Sequence, residues 1–288
     1  KENNLEFREI FSVDGNIITK IVNLIYLLDY ASIYMAIKSK TDPSPVNSID
    51  YIKKRLKWKL TTNDKMSEAD LELKKLHDKL NNHIEEQSKN WNDFIFAKQN
   101  GFYQGLDEIK IQGCRSTEKR FKEYKIDKFF HKNLSGLDIG SNCGFFTIYV
   151  SRYLGSMDGV EINPYMVKIA NDTKNFLKID NVNFYTSSFE EFEPKRKYDF
   201  VFSLANDETV DGLTKFTFTE YTQKIADLLN ERGILAFESQ AKDTYYLKKF
   251  ESKLESLKKN FDVLEQRIVK SEYPVNVPNR YFLILQRK

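Results

Sequence analysis

Cysteine is almost missing from these 288 residues. Cys114 and Cys143 are the only two, and their spacing fits no metal-ligand pattern. So few thiols suit a reducing compartment. Histidine is nearly as scarce: His77, His83 and His131 all stand in the front half. No long uninterrupted apolar run stands out. Residues 21–37 are broken by Asn23, Asp29 and Tyr30, which reads as too short and too interrupted for a transmembrane segment, and no signal peptide is visible. The net charge of +3 is too small for a dedicated nucleic-acid binder. No internal repeat is present. These absences lead to the expectation of a cytoplasmic protein without a membrane span.

What is present suffices for a core. Apolar residues make up 41% and aromatics 14%, and the length fits one large domain or two smaller ones. The richest stretch is residues 135–163. An apolar run around Leu137 and Ile139 ends in Asp138-Ile139-Gly140-Ser141-Asn142-Cys143-Gly144. A helical pattern follows, then a second strand that ends at Glu161. Gly140 permits a sharp turn and close backbone approach to a ligand. Glu161 stands 21 residues after Gly140, where a ribose-binding carboxylate belongs. The dinucleotide fingerprint G-x-G-x-x-G is missing, because Asn142 and Phe145 occupy its second and third glycine positions. Their bulk would crowd a pyrophosphate, and Asp138 would repel it. A cationic ligand carrying a ribose and an amino-acid tail fits better.

Later segments continue the pattern. Residues 181–185, 198–203 and 233–238 read as strands, separated by amphipathic helical stretches such as residues 221–229. Strands alternating with helices predict a parallel sheet covered on both faces. Residues 261–268 and 280–285 read as two late strands joined by a proline-containing turn.

The stretch from Asp138 to Gly144, with Glu161 after it, resembles motif I and the following acidic position of class I S-adenosylmethionine (SAM)-dependent methyltransferases. The resemblance runs from about Ser135 to the C-terminus. It implies an α/β fold with a Rossmann-like sheet, mostly parallel with the last strand antiparallel. It also implies SAM as cofactor and S-adenosylhomocysteine as product. A second resemblance covers Gly101 to Phe121, including Arg115-Ser116-Thr117-Glu118-Lys119-Arg120. That segment is similar to the one preceding the SAM domain in bacterial methyltransferases of surface-polysaccharide and glycan biosynthesis. Some RNA-modifying relatives carry a similar element. It implies that Arg115 or Arg120 reaches the methionine carboxylate, which a guanidinium matches bidentately, and that Tyr103 or Gln104 covers the cofactor.

The remaining site residues follow from the same resemblance. Asp138, Gly140, Ser141, Asn142 and Gly144 form the cofactor loop, with Glu161 on the ribose. Ile162 and Phe189 offer apolar faces to adenine, and Ser188 stands where an acid is usual. Ser203 opens the segment after the fourth strand. Related sequences read Asn-His there and Glu-Ser-His after the fifth strand; this chain has Asp207 and Gln240 at those histidine positions. Without an imidazole, Asp207, Glu208 and Glu238 become the candidate bases. No metal is expected, since Asp207, Glu208 and Asp211 have weak spacing for a ligand set.

The front third is of another kind. Residues 5–20 read as a hairpin around Asp14-Gly15, and residues 22–38 as a helix. A helix from Ser48 through Leu60 and a long helix from Ser67 to Lys98 follow. In the long helix, Leu71, Leu76, Leu80, Ile84, Trp91, Phe94 and Ile95 make a candidate buried stripe. Residues 51–60 carry Lys53, Lys54, Arg55, Lys57 and Lys59 with no acid, a solvated face or a polyanion site. The expected organisation is a mainly helical extension over residues 1–100, a connecting segment over 101–132 that contributes to the cofactor site, and a methyltransferase domain over 133–288. The expected reaction is O-methylation of a sugar, nucleotide sugar or glycan of capsule type. The alternatives are an RNA methyltransferase using the basic segment and a non-catalytic SAM-fold subunit.

Overall fold

The computed structural model describes residues 16–40, 67–91, 101–208, 214–274 and 276–288. The chain divides into two units, Lys1–Ser67 and Glu68–Lys288.

In the first unit, helix α1 (Ile17–Lys38) begins where the Asn16 side chain accepts a hydrogen bond from the Thr19 amide at 2.9 Å. One expectation is corrected here: with Asn16 as cap, residues 17–20 are helical and not the return strand of a hairpin. The helix is 22 residues long, and among the described residues it alone is long and apolar enough to cross a membrane by length and composition. Reading only residues 21–37 missed its first turn. The rest of the expected hairpin, the helix from Ser48 to Leu60 and the basic run at 51–60 lie outside the described residues.

The second unit opens with α2 (Glu68–Asn90), whose first turn carries Glu68 and Asp70 where the helix dipole favours acids. It ends short of the expected Lys98, and Phe94 and Ile95 lie outside the described residues. Leu76 and Leu80 are buried in a cluster with Met166 and Ile169, whereas Leu71 is exposed. A small parallel pair follows, β1 (Phe102–Gly105) and β2 (Gly113–Ser116), then α3 (Thr117–Tyr124).

The main sheet uses β3 (Ser135–Ile139), β4 (Ser156–Glu161), β5 (Val182–Thr186), β6 (Tyr198–Leu204), β7 (Leu229–Glu238), β8 (Phe261–Lys270) and β9 (Asn279–Arg287). Between them run α4 (Phe145–Ser151), α5 (Pro164–Phe176), α6 (Phe218–Leu228) and α7 (Leu247–Asn260). The strand order is β5-β4-β3-β6-β7-β9-β8. The first five strands are parallel, and β9 runs antiparallel to β7 and β8.

Side-chain alternation explains the two-sided core. Along β6, Phe200 and Phe202 enter one buried cluster and Val201 the other. The first cluster joins Phe146, Val150 and Phe282, and the second joins Ile225, Leu235 and Leu257. Each buried phenylalanine contributes roughly 1.5–3 kcal/mol relative to exposure. The chain builds outward from β3 to β5, then restarts at β6 on the other side of β3. This reversal opens a crevice beyond the carboxyl ends of β3 and β6, where ligands bind in open α/β sheets.

Candidate active site

The crevice is floored by the loop after β3. Gly140 and Gly144 have φ values of +65° and +71°, and Asn142 adopts +53°. A Cβ on Gly144 would stand 2.6 Å from Ala170 and Phe184 atoms, so the loop packs too tightly there for any side chain. The Ser141 amide donates to Val160 at 3.0 Å and ties the loop to β4. Glu161, at the tip of β4, accepts from the Asn142 amide at 2.9 Å and the Asn163 amide at 3.0 Å. The acidic residue and the glycine loop are therefore one hydrogen-bonded unit. Asn163 also caps α5 and donates to buried Gln87 of α2 at 2.9 Å.

α4 begins without a cap from its own chain neighbours. Gln104 of β1 supplies the missing acceptor: its Oε1 takes the Phe145 amide at 3.0 Å and the Phe146 amide at 3.4 Å. Its Nε2 donates to the Ser141 carbonyl at 3.3 Å. Asp138 lies below, buried, and accepts from the Thr147 hydroxyl at 2.6 Å. Burial pushes its pKa up to about 7 against that hydrogen bond.

The resemblance implies that Arg115 or Arg120 reaches a ligand carboxylate; in this structure the Arg115 guanidinium meets Glu238 at the end of β7, Nη1 to Oε2 at 2.9 Å and Nη2 to Oε1 at 2.6 Å. Both side chains are fully buried. Arg120 stands 3.6 Å from the same carboxylate. Burial alone would raise the Glu238 pKa, but Arg115 and then Arg120 and Arg280 overcome it and hold it at about 2. Glu238 therefore has both oxygens committed to a guanidinium and a strong preference for its charged form.

Near the end of β6, Ser203 donates to Asn206 at 2.9 Å, and the Tyr221 hydroxyl donates to the same oxygen at 2.8 Å. Asn206 in turn donates to the Ile139 carbonyl and shields Gly140, where an added Cβ would stand 3.0 Å from its amide nitrogen. Asp207 is buried beside Lys253 of α7, Nζ to Oδ2 at 2.6 Å. The same ammonium lies 2.8 Å from Asp243 and 3.3 Å from Glu208. Burial raises the Asp207 pKa, with Lys253 opposing. Glu208 is half-buried and meets Lys242 and Lys249; these outweigh its burial and hold its pKa at about 2.

The adenine-side residues are placed differently from one another. Phe189 is packed in the core edge-on to Tyr221, with ring centroids 5.2 Å apart. Ile162 is half-buried next to Glu161. The Ser188 hydroxyl accepts from the Glu191 amide at 3.2 Å. Tyr103 is half-buried against Tyr273, centroids 5.9 Å apart. Among the described residues, no group of three or more His, Cys, Asp or Glu is placed to hold a metal ion.

Two features of the loop suit a polar ligand. The Ser141 hydroxyl and the Asn142 side-chain oxygen are buried without a hydrogen-bond partner, and such groups are costly to leave unpaired. Both belong to the segment between Gly140 and Gly144.

The model of the methyltransferase-domain family matches residues 130–276, just over half of the chain. The chain belongs to this family: it has the class I methyltransferase fold, and its cofactor is S-adenosyl-L-methionine. A second family, the C-terminal SIS domain of bacterial phospho-glucose isomerase, matches residues 1–56, too little of the chain to assign it. Among curated relatives, the release factor glutamine methyltransferase of Fusobacterium nucleatum is 32% identical over 163 residues, 47% of this chain and 43% of that protein. The malonyl-[acyl-carrier protein] O-methyltransferase 1 of Ilyobacter polytropus is 28% identical over 172 residues, 56% of this chain and 58% of that one. The chain thus spans about half the length of these relatives. Among solved structures, the N-methyltransferase NodS of Bradyrhizobium japonicum WM9 with S-adenosyl-L-homocysteine superposes with TM-score 0.49 at 13% identity, covering 74% of this chain and 98% of that one.

Sequence reasoning named Gln104 only as a cover for the cofactor and missed its capping role. It missed Lys253, Asp243, Tyr221 and Gln87 altogether. Asp243 forms a local capping box with Gln240 that could have flagged it; Lys253, Tyr221 and Gln87 carry no local motif and meet Asp207, Asn206 and Asn163 from elsewhere in the chain.

Proposed function

We propose that this chain transfers the methyl group of SAM to an oxygen of a sugar, nucleotide sugar or glycan intermediate, in the cytoplasm, with Asp207 as general base. SAM supplies an electrophilic methyl carbon on a sulfonium. Residues 133–288 are the catalytic domain in this reading. Residues 101–132 contribute Gln104, Tyr103 and Arg115 around the cofactor, and residues 1–100 are an extension from which α2 docks on α5. Gly140, Ser141, Asn142 and Gly144 receive the ligand's polar tail, Glu161 takes its ribose, and Ile162, Ser188 and Phe189 border its adenine. Ser203 acts by holding Asn206 over Gly140.

The observation that carries the acceptor side is Asp207 beside Lys253. A carboxylate beyond the carboxyl end of β6, with burial raising its pKa, suits removal of a hydroxyl proton. Lys253 lies between Asp207 and Asp243. When Asp207 takes a proton, the ammonium keeps its partner Asp243, so protonation strands no buried charge. Glu238 and Glu208 are less suited to the same task. One is locked on Arg115 and the other on three lysines, and we assign Glu238 to orienting Arg115.

A second reading, RNA methylation, has two supports. Part of the chain is 39% identical over 69 residues to a Francisella tularensis 23S rRNA (uracil(1939)-C(5))-methyltransferase, and residues 51–60 are basic. Incubating the full chain with labelled SAM and fractionated extract separates the readings. The proposal expects label in glycan or nucleotide-sugar fractions. Label confined to RNA or protein would overturn it, and SAM binding without any transfer would favour a non-catalytic subunit.

A further inference from the structure

The catalytic reading makes no use of α1. Ile25, Leu28 and Met35 are exposed on one side of this helix, and Leu27, Tyr34 and Ile37 on another. A helix with large apolar residues around most of its circumference belongs inside a larger core or a bilayer, not in water. Its length points to the second. At ~1.5 Å per residue its 22 residues rise about 33 Å, against a hydrocarbon layer of ~30 Å.

Charge supplies an independent argument. Within the helix, ten Ile, Leu and Val residues favour insertion, and Asp29 near the middle opposes it. Lys20 and Lys38 are near the ends, where long side chains reach the headgroups. The flanks differ in sign. Before the helix, Lys1 and Arg8 are outnumbered by Glu2, Glu6, Glu9 and Asp14. After it come Lys40, Lys53, Lys54, Arg55, Lys57 and Lys59, against Asp42 and Asp50. Excess Lys and Arg on one flank sets that flank on the cytoplasmic face and attracts anionic lipid. A secretory signal has the opposite arrangement, with its positive charge ahead of the apolar run.

We infer that α1 is inserted in a lipid bilayer, with its basic C-terminal flank on the cytoplasmic, anionic face. The chain would then work as a membrane-tethered enzyme whose acceptor is met at the membrane surface. The inference does not depend on which acceptor is methylated.

Flotation of the purified full chain tests it, using vesicles of phosphatidylcholine alone and of phosphatidylcholine with phosphatidylglycerol. The chain should float with both and stay with the vesicles through high salt and alkaline carbonate. Leu27→Lys with Leu28→Lys should reduce the partition by at least about a hundredfold, while calorimetric SAM affinity stays unchanged and shows the variant folded. Asp29→Leu should strengthen the partition. A chain that stays at the bottom with both vesicle types overturns the inference. So does flotation only with anionic vesicles and release by salt, which would assign binding to the flank alone. A lipid-free dimer dissolved by the paired lysines would assign the helix to a second copy and overturn it equally.

Discussion

The Gln104 side chain sits 3.0 Å from the Phe145 amide and caps a helix 41 residues further along the chain. With its other end on the Ser141 carbonyl, this amide clamps the cofactor loop from β1. Replacing it by leucine leaves buried donors at the start of α4 unpaired, which costs ~1–3 kcal/mol. Gln104→Leu should therefore lower the unfolding midpoint and raise KM for SAM more than it lowers kcat. Gln104→Glu keeps the acceptor for the α4 amides but sets its second oxygen against the Ser141 carbonyl, so it should restore only part of the stability. Thermal unfolding together with calorimetric SAM titration checks both. Wild-type affinity in a folded Gln104→Leu protein would remove the positioning role.

Glu161 joins the loop to the tip of β4 through two amides. Glu161→Ala should weaken SAM binding by ~1.5–3 kcal/mol, the range for hydrogen bonds to a charged group. Calorimetry on the folded variant reads this directly. An unchanged Kd would take Glu161 out of the ribose site.

The strands were legible from sequence and their cross-connections were not. Apolar runs such as residues 198–203 are bounded by polar turns, and their length and order alone imply a parallel sheet. Asp14-Gly15 misled because the same residues that favour a hairpin turn also precede a helix cap, and Asn16 supplied the cap. The Gln87–Asn163 contact joins residues 76 apart, and Lys253 of α7 meets Asp207 on the loop after β6. Such pairs exist only once the sheet has formed. The resemblance of residues 101–121 drew attention to Arg115, but only the fold shows Glu238 engaging it from β7.

The Arg115–Glu238 pair makes a stability prediction with a definite sign. Glu238 has a folded pKa of about 2 against an ordinary value of 4.5. A depressed carboxylate stabilises above its unfolded pKa and loses that contribution as pH falls through the folded value. The pair should thus contribute fully above about pH 5, and its contribution should fade between about pH 4.5 and about pH 2. Glu238→Gln should cost ~3–5 kcal/mol at neutral pH, since it strands a buried guanidinium, and should flatten the acid limb of the stability curve. Arg115→Met combined with Glu238→Leu should recover part of the loss. Urea unfolding from pH 2 to 8 measures all three. An unaltered acid limb in Glu238→Gln would mean that the pair does not set it.

The most direct test of the account is single-turnover methyl transfer by Asp207→Asn. The variant keeps the size and hydrogen-bonding capacity of the side chain and removes its ability to take a proton. With the acceptor fraction that the wild type labels, the rate should fall ~10²–10⁴-fold, the usual contribution of a general base, while SAM affinity stays at the wild-type value. A wild-type rate in this variant across pH 6 to 9, with transfer itself rate-limiting, would contradict a carboxylate-assisted attack by a neutral hydroxyl at this site.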